Sequence, residues 1–152
     1  MQIDLRLYNS DVPLPPRLQQ IVDVFSGSPK QFRLEALLDY ARRLPELPPD
    51  LAADRDLLEQ VHECQTPFFL ATRLEDGRIR LYFDAPPESP TVRGYAGLLA
   101  AGLDQESPEA ILAVDNDFYL GMGLEEVITP QRLRGMGAIL AHLKGQVRGL
   151  PT

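Results

Sequence analysis

Apolar and polar positions alternate at the start of the chain. Ile3, Leu5 and Leu7 are separated by Asp4 and Arg6, a period of two that predicts a short strand within Met1 to Tyr8. Three prolines between Asp11 and Pro16 end it. From Arg17 to Phe25 the period changes: Leu18, Ile21, Val22 and Phe25 share one face of a helix. Gly27 closes that helix, and Ser28 to Gln31 opens a second. There Ser28 is read as the cap, Pro29 as the first helical residue and Gln31 as the partner that completes a capping box. The second helix is expected to run to about Leu44, where Pro45 stops it, and the proline-rich ELPPDLAADR reads as a loop.

Period two returns in the middle of the chain. Ile79, Leu81 and Phe83 alternate with Arg78, Arg80 and Tyr82, and Phe68 to Arg73 precedes them across the turn Glu75, Asp76, Gly77. This is a hairpin signal, because glycine accepts the positive φ that tight hairpin turns require. Val92 to Leu103 reads as a helix rich in Ala and Gly, suited to close packing, and Ser107-Pro108 and Thr129-Pro130 each place a cap before a proline. In the last helix Leu133, Met136, Leu140, Leu143 and Val147 line one face up to Gly149. The expected class is therefore α+β, a small antiparallel β-sheet flanked by helices. It is not a βαβ alternation, and no glycine-rich phosphate loop is present, so nucleotide binding is not expected.

Composition narrows the function. The 152 residues suit one domain, and 44% hydrophobic with 24% charged residues is ordinary for a globular chain. A formal charge of -7 opposes nucleic-acid binding, which needs a surplus of Lys and Arg. A single cysteine gives no internal disulfide. The N-terminus shows no apolar run behind a basic head and no stretch suited to a membrane, so a cytoplasmic protein is expected.

That cysteine, Cys64, lies in VHECQTPFF just before the hairpin. Lone thiols commonly pack as small hydrophobes, but this one sits at a junction of elements where a side chain can be held by a sheet and reached by a partner. Glu59 and Glu63 flank it and should raise its pKa. A zinc site from Cys64, His62, His142 and a carboxylate lacks any ligand-spacing signature, so no metal is expected, and Asp115-Asn116-Asp117 lacks the glycine and terminal glutamate of a calcium loop. His142 could serve Cys64 as a base, yet its position beside Leu143 fits a polar residue at a helix border.

The stretches RLPELP, VHECQT, TVRGYAGLLAAGLDQESPEAI and ITPQRLRGMGAIL together resemble the SufE family of sulfur acceptors. Arg43 to Leu47, Val61, Cys64, Gln65, Val92, Gly94, Thr129, Pro130, Arg132 and Gly135 carry the resemblance most specifically. It implies a SufE/IscU-like fold in one domain, with residues 1–12 as an N-terminal extension and 13–149 as the family-like core. It also implies that Cys64 takes sulfane sulfur as a persulfide from a SufS/CsdA-like cysteine desulfurase, stimulates that enzyme, and passes the sulfur to an iron-sulfur scaffold. The desulfurase uses pyridoxal phosphate; the acceptor binds no cofactor and is an accessory carrier, not an enzyme in its own right. Gln65, Arg132 and His62 are its supporting residues, and a weak homodimer is compatible with the reading. The chain departs from the family where Glu63 replaces the usual glycine before the cysteine, Thr66 replaces serine, and Phe68 and Phe69 replace a tryptophan-containing strand. A docking module without sulfur transfer and an independent thiol enzyme using a histidine are the alternative readings.

Overall fold

The computed structural model describes residues 14–151; the strand expected within Met1 to Tyr8 lies outside them. Helix α1 (Pro16–Ser26) and α2 (Lys30–Arg43) come first. Ser28 does not cap α2: its hydroxyl donates to the Val24 carbonyl at 2.6 Å and so closes the end of α1, while Pro29 takes the cap position. The expected capping box gives way because a serine one turn past a helix end can reach back to an orphan carbonyl.

The supposed loop is also partly ordered. Pro49–Ala53 forms a short helix, α3, and Arg55–Leu57 a 3-10 turn. Pro49 sits in the first turn, where its missing N–H costs no hydrogen bond, so the proline pair starts this helix instead of preventing it.

Strands β1 (Glu59–Gln60), β2 (Phe69–Glu75) and β3 (Arg78–Asp84) form an antiparallel sheet in the order β1-β2-β3. Glu75 pairs with Arg78 across Asp76 and Gly77, both at positive φ (54° and 75°), the two-residue turn that suits the twist of a hairpin. Ile79, Leu81 and Phe83 bury their side chains in the main core with Leu70; Ala71 on the other face meets Leu51 and Leu58. The β1 strand escapes the sequence pattern because two residues cannot display a period.

Helix α4 (Pro90–Leu103) starts at Pro90, two residues before the expected Val92. It crosses α2 very closely: a Cβ added at Gly94 would lie 2.3 Å from the Leu37 carbonyl oxygen, and one at Gly97 would lie 2.2 Å from that of Tyr40. Backbone contact of this kind leaves room for no side chain. Helix α5 (Pro108–Leu112) and α6 (Pro130–Gly149), with 3-10 turns at Phe118–Met122 and Leu124–Glu126 between them, complete the described chain, α5 and α6 capped by Ser107 and Thr129 as their sequences predict; the Thr129 hydroxyl accepts from the Arg132 N–H at 3.4 Å. Leu133, Met136, Leu140, Leu143 and Val147 of α6 are all buried. No helix among the described residues is long and apolar enough to cross a membrane.

Candidate functional site

Cys64 sits in the connection between β1 and β2. The base of that connection is fixed: Val61 and Phe68 are wholly buried, and the Val61 N–H donates to the Phe68 carbonyl at 2.9 Å. Above this base His62, Glu63, Gln65 and Pro67 are exposed, while Cys64 and Thr66 between them are partly buried; the Cys64 N–H donates to Val61 O at 3.2 Å. A rigid floor with an exposed rim holds the thiol in place while leaving its neighbours free to meet a partner.

The thiol points at α6. Its Sγ lies 3.8 Å from the Gly135 carbonyl oxygen, to which the S–H donates, and a Cβ at residue 135 would stand 3.4 Å from the sulfur. Around it lies a small pocket of about 60 Å³, walled by the Cys64 loop, by Ser89, Thr91 and Val92 at the start of α4, and by Gln131, Arg132 and Gly135 of α6. Burial, and secondarily the charge of Glu63, push the Cys64 thiol up from 9.0 to about 11. At neutral pH the resting species is therefore the protonated thiol, sheltered from oxidants.

The expected supporting residues fall in different places. Gln65 and Arg132 both line the pocket with Cys64, and the Arg132 guanidinium donates to the Thr91 hydroxyl at 3.3 Å. Thr66 lines it too, and its hydroxyl oxygen is buried without a hydrogen-bond partner among the described residues. His62 is exposed on the outside of the loop and does not line the pocket. His142 faces Glu59 and Glu63, not the sulfur. Of the two glutamates expected to raise the thiol pKa, Glu63 does so, and Glu59 is turned toward α6. Among the described residues no group of His, Cys, Asp and Glu is arranged to hold a metal ion.

Ser89 and Thr91 are wall residues that the hydropathy pattern does not single out, since polar residues at a helix start ordinarily read as caps. Gly135 belongs to a motif noted in the sequence, and its role is now plain: it is the surface against which the thiol rests.

A small α+β domain that presents one half-buried cysteine at a loop between strands, against a glycine of its last helix, has close counterparts. The chain belongs to the SufE family, described as the Fe-S metabolism associated domain, which matches residues 19–147. It is 47% identical over 136 residues to an uncharacterized SufE-like protein of Mycobacterium tuberculosis, spanning 89% of this chain and 94% of the relative. It is also 28% identical over 125 residues to SufE-like protein 1, chloroplastic/mitochondrial, of Arabidopsis thaliana, covering 81% of this chain and 32% of that larger protein. The solution structure of a hypothetical protein from Thermus thermophilus superposes with a TM-score of 0.81 at 51% identity, over 90% of this chain and 96% of the other.

Proposed function

We propose that this protein accepts sulfane sulfur on Cys64 from a pyridoxal-phosphate-dependent cysteine desulfurase, accelerates that enzyme by removing its product, and hands the sulfur to iron-sulfur cluster assembly. The observation that carries the reading is the placement of the chain's sole cysteine, in a member of the SufE family, in a pocket with room beside the sulfur.

The transfer needs one nucleophile. The Cys64 thiolate attacks the outer sulfur of the donor persulfide; a new Sγ–S bond forms, the donor's Sγ–S bond breaks, and the donor cysteine leaves as a thiolate that takes up a proton. One sulfur atom moves with no net oxidant. A thiol held at about 11 is a poor nucleophile at neutral pH, so the step requires Cys64 to leave its buried position in the encounter, which removes the main cause of the shift. Arg132 supplies a cation at the pocket rim that is placed to receive the anionic outer sulfur of the persulfide. The Thr66 hydroxyl, which has no hydrogen-bond partner among the described residues, is a donor available to the terminal sulfur once the persulfide withdraws into the pocket.

The test is kinetic. With the desulfurase from the same cell and saturating cysteine, alanine formation should rise on addition of the wild-type chain and stay at the basal rate with Cys64→Ser, whose hydroxyl cannot carry sulfane sulfur. Equal stimulation by both proteins would reduce the function to docking.

A further inference from the structure

Three elements meet at His142. Its ring Nδ1 is hydrogen-bonded to a carboxylate oxygen of Glu59 on β1, and its Nε2 lies 2.9 Å from Glu63 Oε1 and 3.2 Å from Oε2, on the Cys64 loop. Behind it, one helical turn along α6, Gln146 donates to the other Glu59 oxygen at 3.0 Å and to the Leu70 carbonyl at 3.3 Å, and accepts from the Thr72 hydroxyl at 3.0 Å. The residue before the candidate nucleophile is thus tied, through one imidazole, to the last helix and to the edge strand. The rest of the loop rim is exposed.

We propose that His142 is a positioning residue: by bridging Glu59 and Glu63 it latches the Cys64 loop against α6, and opening of this latch sets how readily the thiol becomes accessible to a sulfur donor. The purpose of the latch rests on the sulfur-acceptor reading; its existence rests on the contacts alone.

The chemistry of the bridge defines the state that holds. Each ring nitrogen faces a carboxylate, which only accepts hydrogen bonds. A neutral imidazole has one N–H and would turn a lone pair toward the second carboxylate; the imidazolium donates to both. The charged groups facing His142 are Glu59 from β1 and Glu63 from the loop, and His62 also faces Glu63 from within the loop. The hydrogen bond to Glu59 is the largest influence and raises the His142 pKa above its ordinary 6.5; burial, second in size, opposes it, and the hydrogen bonds and charge of Glu63 add to the rise. Because the folded pKa is the higher one, the imidazolium's share of the latch is fully present below pH 6.5 and is lost as the pH rises through the raised value; on the acid side the latch is lost as Glu63 takes up a proton, below its ordinary 4.5.

The sign of one measurement separates a latch from simple electrostatics. His142 is a cation when protonated. If it acted only through charge, His142→Ala would destabilise the thiolate and slow alkylation of Cys64. If it latches the loop, the same substitution frees Glu63, the thiol spends more time outside its pocket, and alkylation speeds up. The probe is iodoacetamide on the free, full-length protein, with no desulfurase present, so the outcome does not depend on the acceptor reading.

At pH 6 the expected result is an about two- to fivefold faster reaction for His142→Ala, the range that a partly exposed ion pair commands, with a melting temperature near that of the wild type. The ratio of the two rates should shrink toward one as the pH rises and the wild-type latch opens. Glu63→Ala breaks the same bridge from the exposed side, where folding is not at risk, and also removes a charge that opposes the thiolate. Its accelerating effect should be smaller in the His142→Ala background than in the wild type, since the latch is already gone there. Slower or unchanged alkylation in His142→Ala, or fully additive effects of the two substitutions, would overturn the latch. If alkylation responds as expected but no variant, wild type included, takes sulfur from the desulfurase, the latch stands and the acceptor function falls.

Discussion

Gly135 of α6 and Cys64 of the β1–β2 connection are in contact: the thiol donates to the glycine carbonyl at 3.8 Å, and a methyl group at residue 135 would sit 3.4 Å from the sulfur. That distance is an ordinary van der Waals contact, so alanine fits while the thiol is unmodified, and in mid-helix it should if anything stabilise α6 by up to about 1 kcal/mol. A second sulfur on Cys64 needs space that the methyl group would take from a pocket of about 60 Å³. Gly135→Ala should therefore fold and melt like the wild type, accept sulfur, and lose it to dithiothreitol faster. Equal persulfide lifetimes would show that the pocket does not shelter the outer sulfur.

Arg132 has a hydrogen bond to Thr91 but lies exposed in the first turn of α6, where the helix dipole disfavours a cation. Helix stability does not account for it. Arg132→Ala should leave the melting temperature within about 2 °C and slow single-turnover sulfur transfer roughly tenfold or more, the loss of a charge-assisted hydrogen bond to an anionic sulfur. A large drop in melting temperature, with normal transfer by the folded fraction, would make Arg132 structural.

The half-buried thiol leaves a signature in alkali. Burial and then Glu63 raise Cys64 from 9.0 to about 11, so its contribution to stability is fully present below pH 9.0 and is lost as the pH climbs toward 11. Ultraviolet thiolate absorbance of the native protein should titrate near the upper value, and Glu63→Gly should move that titration down and speed alkylation at neutral pH. A native titration at the unfolded value would mean that the thiol is not buried in solution.

The crossing of α4 on α2 is the least tolerant place in the fold. At Gly94 an added Cβ would stand 2.3 Å from the Leu37 carbonyl oxygen, and backbone cannot swing aside as a side chain can. Gly94→Ala should cost about 3 kcal/mol, which in a domain of this size lowers the melting temperature by roughly 6–12 °C. Chemical denaturation checks the value; a change below about 1 kcal/mol would mean that the helices separate easily.

Much of this was legible in the sequence because the signals are local. Asp76-Gly77 states its own turn, Thr129-Pro130 its own helix start, and the spacing from Leu133 to Val147 its own buried face. Ser28 misled because a serine between two helices can bond either way, and the structure turns it back to Val24. Cys64, Gln65 and Arg132 were found through motifs, and the fold brings all three to one pocket. The bridge from His142 to Glu59 and Glu63 spans 83 and 79 residues, and no spacing rule connects such positions. On its helix alone, His142 looks like a border residue; only the packing of α6 against the sheet edge gives it partners.

The measurement that bears most directly on the account is the intact mass of the protein after incubation with the cell's own cysteine desulfurase and cysteine, without reductant. The account predicts a gain of one sulfur atom, removed by dithiothreitol, mapped to Cys64 by peptide analysis and absent in Cys64→Ser. An unchanged mass in the wild type, under conditions where the desulfurase is itself persulfidated, would contradict it.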